Sequence, residues 1–169
     1  MKKIMNPWIG VEGYLCFACA PSNPSGLYME FYEDGDDIVS FWKPADYHQG
    51  WLDTLHGGIQ SALVDELAAW VVVRKLQTTG VTSKMEIRFV KSISTHDAGL
   101  TIRGRIKARK RNAVFVETEI YNSAGELCTH AELVYFVVTP ERAREMFRFA
   151  GCRTEDEPAT DDGRLTTHS

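Results

Sequence analysis

The reactive possibilities of this chain gather in one stretch, HGGIQSALVDELAAW, at residues 56–70. Gly57 and Gly58 carry no side chains, so a ligand can approach the backbone there closely. If a helix starts at these glycines, its first N–H groups are unpaired and lie at the positive end of the helix dipole. Such groups polarise a carbonyl or hold an oxyanion. Asp65 and Glu66 interrupt an otherwise apolar run. Burying a carboxylate is costly unless it is paired or used, so at least one of the two has a partner or a task. Adjacent residues of a helix point about 100° apart, so the two acids serve different surroundings. His56 has a side chain whose ordinary pKa suits a general base, and it also stands where it can shape the start of a helix.

Spacing adds a constraint. Gly57 and Asp65 are eight positions apart, roughly 12 Å along one helix. Both cannot lie about 3 Å from a single reacting atom. Acting together, they must come from different subunits, and two antiparallel helices about a two-fold axis give two equivalent sites.

The elements that position these residues follow from periodicity. Ile59, Leu63, Leu67 and Trp70 recur at helical spacing, and alanines and valines widen the apolar face, which predicts a core helix over residues 57–77 with Arg74 and Lys75 at its C-terminal end. Ahead of it, Leu27, Met29 and Phe31 alternate with Tyr28, Glu30 and Tyr32, a strand pattern. A turn over Glu33, Asp34, Gly35 and Asp36 leads to a partner strand at 38–43, then a loop at 44–54 holding His48, Gln49, Gly50 and Trp51. Behind the helix, four strands are predicted at 81–91, 100–110, 113–121 and 127–138. In the second of them Arg103, Arg105, Lys107 and Arg109 form a basic outer face. Pro140 opens a short helix to about Phe149. This is an α+β domain over residues 1–150, irregular over 1–26, with a polar tail at 151–169 expected to be disordered.

The 169 residues and 44% apolar content suit one domain with a core of its own. A net charge of −4 argues against a nucleic-acid partner. The longest apolar run contains Asp65 and Glu66 and reads as a core helix rather than a membrane span. No secretory signal is read at the N-terminus, so a soluble cytoplasmic protein is expected. Cys16 and Cys19 form a CxxC pair with no second pair and no HxxxH, and with Cys128 and Cys152 they are read as structural thiols. His48 is read, like His56, as a residue that shapes the site, and His96, His130 and His168 as turn, strand and tail residues. Arg109, Lys110 and Arg111 at a hairpin are either a solvated turn or a site for phosphates. Trp51 and Trp70 are packing residues or walls of a pocket.

These features together resemble a hotdog-fold thioesterase of the phenylacetate-pathway (PaaI-like) group, over residues 13–140. The resemblance rests on HGG with Asp65 nine residues after His56, on CFACAPSNPSGL at 16–27, on His48-Gln49-Gly50, and on VTSKMEIRF at 81–89. It implies an antiparallel sheet of about six strands wrapped around a long central helix. It implies hydrolysis of an acyl-CoA or other acyl thioester, with Asp65 as general base or nucleophile and the Gly57 amide polarising the carbonyl. His56 and Gly58 would shape the helix start, and Thr82 or Ser83 would position water or carboxylate. Glu66 stands as the alternative acid. The resemblance also implies a homodimer or dimer of dimers and needs no metal or redox cofactor. Related enzymes often carry Asn where Gly50 stands, so Gln49 is the candidate to reach the site instead. Two other activities fit the same elements: acyl-CoA binding without turnover, and a hydratase or dehydratase acting on acyl thioesters.

Overall fold

Helix α1, Gly57–Leu76, forms because a good cap and deep burial override a mediocre local sequence. His56 is the N-cap, and its ring nitrogen Nδ1 accepts the Gly58 N–H at 2.8 Å. Val71, Val72 and Val73 are β-branched, which costs a few tenths of a kcal/mol each in a helix. All three are buried, and each buried valine contributes about 1.5 kcal/mol. Burial therefore wins. Gln77 ends the helix in the left-handed region at φ 51°. No helix among the described residues is long and apolar enough to cross a membrane.

The structure, a computed structural model, describes residues 1–159. Its strands are β1 (Lys2–Lys3), β2 (Tyr32–Asp34), β3 (Asp37–Trp42), β4 (Gly80–Phe89), β5 (Leu100–Lys110), β6 (Ala113–Tyr121) and β7 (Leu127–Val137). A second helix, α2, spans Pro140–Phe147 with Thr139 as its cap. The seven strands form one antiparallel sheet in the order β1-β2-β3-β5-β6-β7-β4. The sheet packs on α1 through β3, β4, β5, β6 and β7. Leu63, Val64, Leu67 and Val71 of the helix meet Ile102, Val116, Ile120, Ala131 and Leu133 of the strands in one core. An antiparallel sheet wrapped around a central helix is thus the architecture.

Two elements differ from the sequence reading. The alternation at residues 27–31 is real as burial, since Leu27, Met29 and Phe31 are buried, but that stretch is not a strand. Its Leu27 and Met29 N–H groups bond to the Phe17 and Ala18 carbonyls, and Tyr28 has φ 56°. Only Tyr32–Asp34 joins the sheet, and the seventh strand is the two-residue β1 beside it. The segment after residue 150 also packs against the body. Cys152 and Thr154 are buried, and Thr154 bridges to Ile4. The Arg74 guanidinium reaches the Cys152 carbonyl at 2.9 Å and Glu157 and Glu33 at 2.8 Å each. The remainder of the expected tail, with His168, lies outside the described residues.

β4 is the edge strand on the far side, and nearly its whole length is exposed. A break in register between Thr82 and Lys84 leaves Ser83 as an extra residue.

Candidate active site

Asp65 lies on the face of α1 turned toward β4. The Thr82 hydroxyl donates to its carboxylate oxygen Oδ1 at 2.6 Å. The Tyr135 hydroxyl donates to the same oxygen at 3.1 Å and to the Asp65 carbonyl at 2.9 Å. Thr82 and Tyr135 are direct partners in the β4–β7 register, so two neighbouring strands present one hydroxyl each to one acid. The bulge explains which hydroxyl. In a regular strand, residues of equal parity share a face, and Ser83 would share the face of Met85, Ile87 and Phe89. The extra residue resets the count: Thr82 turns toward the helix, while the Ser83 hydroxyl donates to the Val134 carbonyl.

Tyr135 is a functional candidate that the sequence reading did not single out. It is 3% exposed, and burial first, then the Asp65 charge, pushes its phenol pKa well above the usual range. It therefore stays a proton donor. Its signal in the sequence is one hydroxyl among the inward-facing residues Ala131, Leu133, Tyr135 and Val137.

The other half of the motif stands at the helix N-terminus. Gly58 spends its N–H on His56, whereas the Gly57 N–H has no hydrogen-bond partner among the described residues. The Phe89 ring lies against Gly57, where an added Cβ would meet it at 3.3 Å. His56 thus acts as a cap. Its own N–H donates to the His48 carbonyl at 2.9 Å, and His48 in turn accepts the Ala45 N–H on Nδ1 and rests on the Trp42 ring. Burial holds the His48 pKa below its ordinary value. Gly50 packs directly under His56: a Cβ there would stand 3.1 Å from the His56 ring. A side chain at this position would have to shift the His56 ring by a few tenths of an ångström. Gln49 is exposed, and its carboxamide oxygen accepts the Asp53 N–H at 3.3 Å within the loop.

Glu66 points elsewhere. It accepts from Trp70 Nε1 at 3.0 Å and from the Cys16 thiol at 3.6 Å. It lines a largely apolar cavity of about 430 Å³ with Trp8, Tyr14, Trp70, Tyr135 and Phe147. Tyr135 is shared, its ring walling the cavity and its hydroxyl holding Asp65. Trp51 is 84% exposed on the loop before the helix, next to the equally open Leu52.

The basic outer face of β5 is largely neutralised. Arg103 pairs with Asp37 and Asp34, and Arg105 and Lys107 pair with Glu117. Arg109, Lys110 and Arg111 are exposed, with Arg109 bonded to the Arg111 carbonyl. The register puts Arg109, Val114, Tyr135 and Thr82 in one transverse row. Arg109 is therefore three strands, roughly 14 Å, from the Asp65 site of its own chain.

Residues 52–129 match the family model of the thioesterase superfamily. No curated protein matches the chain. Among solved structures, a hypothetical thioesterase protein from Streptococcus pneumoniae with coenzyme A is 26% identical, with 65% of this chain and 85% of that one covered and a TM-score of 0.60. The pneumococcal protein has also been solved with an aspartate and with a threonine replaced by alanine. A Streptococcus mutans protein bound to acetyl-CoA is 21% identical, with 65% and 88% covered and a TM-score of 0.60. Zebra fish thioesterase superfamily member 2 is 20% identical, with 64% and 80% covered and a TM-score of 0.58. The chain thus has the hotdog fold of these thioesterases, and its residues 52–129 are similar in sequence to the thioesterase superfamily.

Proposed function

We propose that the protein hydrolyses acyl thioesters, acyl-CoA foremost, at two equivalent sites shared between subunits of a homodimer. The observation that carries this reading is the Asp65 carboxylate, held by Thr82 and Tyr135 beside the exposed edge strand β4. In the sequence, HGG followed by Asp65 and the CFACAPSNPSGL segment favour the PaaI-like group.

The exposed edge supports the shared site. An unpaired edge strand is a template for another strand. Two copies of β4 pairing antiparallel about an axis near Met85 and Glu86 set Thr82 of one subunit beside Phe89 of the other. Thr82 holds Asp65, and Phe89 lies on Gly57. The axis therefore brings the partnerless Gly57 N–H of one subunit to the Asp65 of its partner, closing the 12 Å gap that one helix imposes. Tyr47, Trp51 and Leu52, exposed on the loop before Gly57, are available to the same contact or to a dimer of dimers.

In this arrangement the Gly57 N–H and the helix N-terminus polarise the thioester carbonyl. Asp65 takes a proton from water as the water oxygen adds to the carbonyl carbon, or its carboxylate adds directly and water then cleaves the anhydride. The C–S bond breaks, the sulfur leaves as thiolate and is protonated, and a free acid remains. The acyl group enters the cavity that begins at Tyr135 and runs along α1 past Glu66 and Ala69 to Val73. Arg109, Lys110 and Arg111 are the groups offered to the phosphates of CoA. The neighbours solved with CoA and acetyl-CoA support a CoA thioester as substrate.

Purified protein is to be assayed on acyl-CoAs of graded chain length and on aryl-acyl-CoAs, by release of free thiol. Hydrolysis that is lost in Asp65→Asn supports the reading. Binding of acyl-CoA without thiol release makes the protein a binding module, and hydration of an enoyl-CoA in its place moves it to the hydratases.

A further inference from the structure

The CxxC pair is not spent by the thioester chemistry. It stands in the wall of the cavity facing α1. Two sulfurs, from Cys16 and Cys19, and a carboxylate oxygen of Glu66 all lie within 4.8 Å of one another. Cys16 Sγ is 3.6 Å from Glu66 Oε1. Tetrahedral zinc with a Zn–S distance near 2.3 Å and a Zn–O distance near 2.1 Å sets a sulfur–oxygen edge of about 3.6 Å.

Both thiols belong to one turn. It is closed by the Ala20 N–H on the Cys16 carbonyl at 3.1 Å. The three groups are all acids, and no lysine or arginine among the described residues bonds to any of them. Their polar neighbours are Trp70 Nε1 on Glu66 and the Tyr14 hydroxyl on Cys19. Bringing three ionisable acids together in a half-buried place favours a bound cation over three separate charges. Two thiolates with one carboxylate select zinc over magnesium or calcium.

We propose that Cys16, Cys19 and Glu66 bind one zinc ion, with the fourth position open to the cavity they line. Three protein ligands and one exchangeable position form a complete tetrahedral set. The ion would tie the segment around Cys16 to α1 one residue past Asp65 and so fix the wall of the cavity. The site is independent of whether the protein cleaves thioesters.

The test is metal content. The full chain, produced with zinc in the medium and purified without chelating resin, is measured by elemental mass spectrometry. About one zinc per chain is expected, falling sharply in Cys16→Ser, Cys19→Ser and Glu66→Gln and unchanged in Cys128→Ser. Circular dichroism confirms that each variant is folded. Cobalt loaded in place of zinc should show thiolate-to-metal charge transfer and the visible bands of a tetrahedral ion, both lost in Cys16→Ser. A folded wild-type chain that takes up no zinc overturns the proposal, as does zinc retained when both cysteines are replaced, or a Cys16–Cys19 disulfide in the unreduced protein.

Discussion

Two hydroxyls meet at the Asp65 carboxylate, and each can be removed singly. Hydrogen bonds to a charged group are worth about 1.5–3 kcal/mol. Thr82→Val and Tyr135→Phe are therefore expected to lower kcat by roughly ten- to a hundredfold each, measured by thiol release. Asp65→Asn is expected to cost about 10²–10⁴. Ser83→Ala, whose hydroxyl bonds to the Val134 carbonyl rather than to Asp65, should leave the rate nearly unchanged. A different outcome is expected at Gly50. Asn there would supply the polar side chain that the family resemblance leads one to expect, but its Cβ would press on the His56 ring at 3.1 Å. Gly50→Asn should lower stability by about 1–3 kcal/mol in thermal melts and should not raise activity. The sequence made Asp65, Gly57 and His56 visible because they stand in one short motif. It hid Tyr135, seventy residues from Asp65, because only strand register brings them together. It could not choose between Thr82 and Ser83, because one extra residue in a strand reverses every parity argument.

At the scale of elements, the strands with clean punctuation are legible. β5 and β6 begin and end where Gly99, Arg111-Asn112 and Asn122 say they should, and α1 begins at its glycines. Residues 27–31 mislead because a buried, extended segment alternates whether or not a neighbour pairs with it. The chain after residue 150 misleads for another reason: its polar residues are held by a distant cation, Arg74. Burial pushes Glu33 upward, but Arg74 and Lys75 outweigh it and leave its pKa below the usual range. Glu157 is also lowered, chiefly by its hydrogen bond with Arg74. A carboxylate whose folded pKa is depressed stabilises the fold above its unfolded pKa and loses that contribution as pH falls through the folded value. Residues 152–157 should therefore loosen as pH drops below about 4. Arg74→Ala should loosen them already at pH 7, at a cost of roughly 2 kcal/mol, between the values for exposed and buried pairs. Hydrogen exchange at Thr154 and Glu155, corrected for intrinsic rates, measures both.

At the scale of the molecule, the shared site has a sharp test. Gly57→Pro removes the N–H while keeping a residue suited to the first helical position. Gly57→Pro and Asp65→Asn should each be inactive alone. Mixed and allowed to exchange subunits, they form heterodimers with one site carrying both lesions and one carrying neither, so about a quarter of wild-type activity should return. No recovery after proven exchange would place both groups in one chain. Met85→Asp, which puts a new charge from each subunit close to the other near the axis, should yield folded monomers without activity. The proposed second subunit was legible in the sequence from helix rise alone. The surface that supplies it was not, since β4 reads like any half-buried strand until its place at the edge of the sheet is known.

If two such open edges pair as proposed, the amount of protein becomes a control on its chemistry. Turnover per chain should climb with concentration and level off once pairing is complete, so dilution acts as an inhibitor with no molecule added. A solitary chain also offers the outer edge of β4, Gly80–Phe89, to any passing strand. Scarcity would then threaten the protein twice, by idling its sites and by leaving it sticky, and mild dilution should harm it before mild heat does.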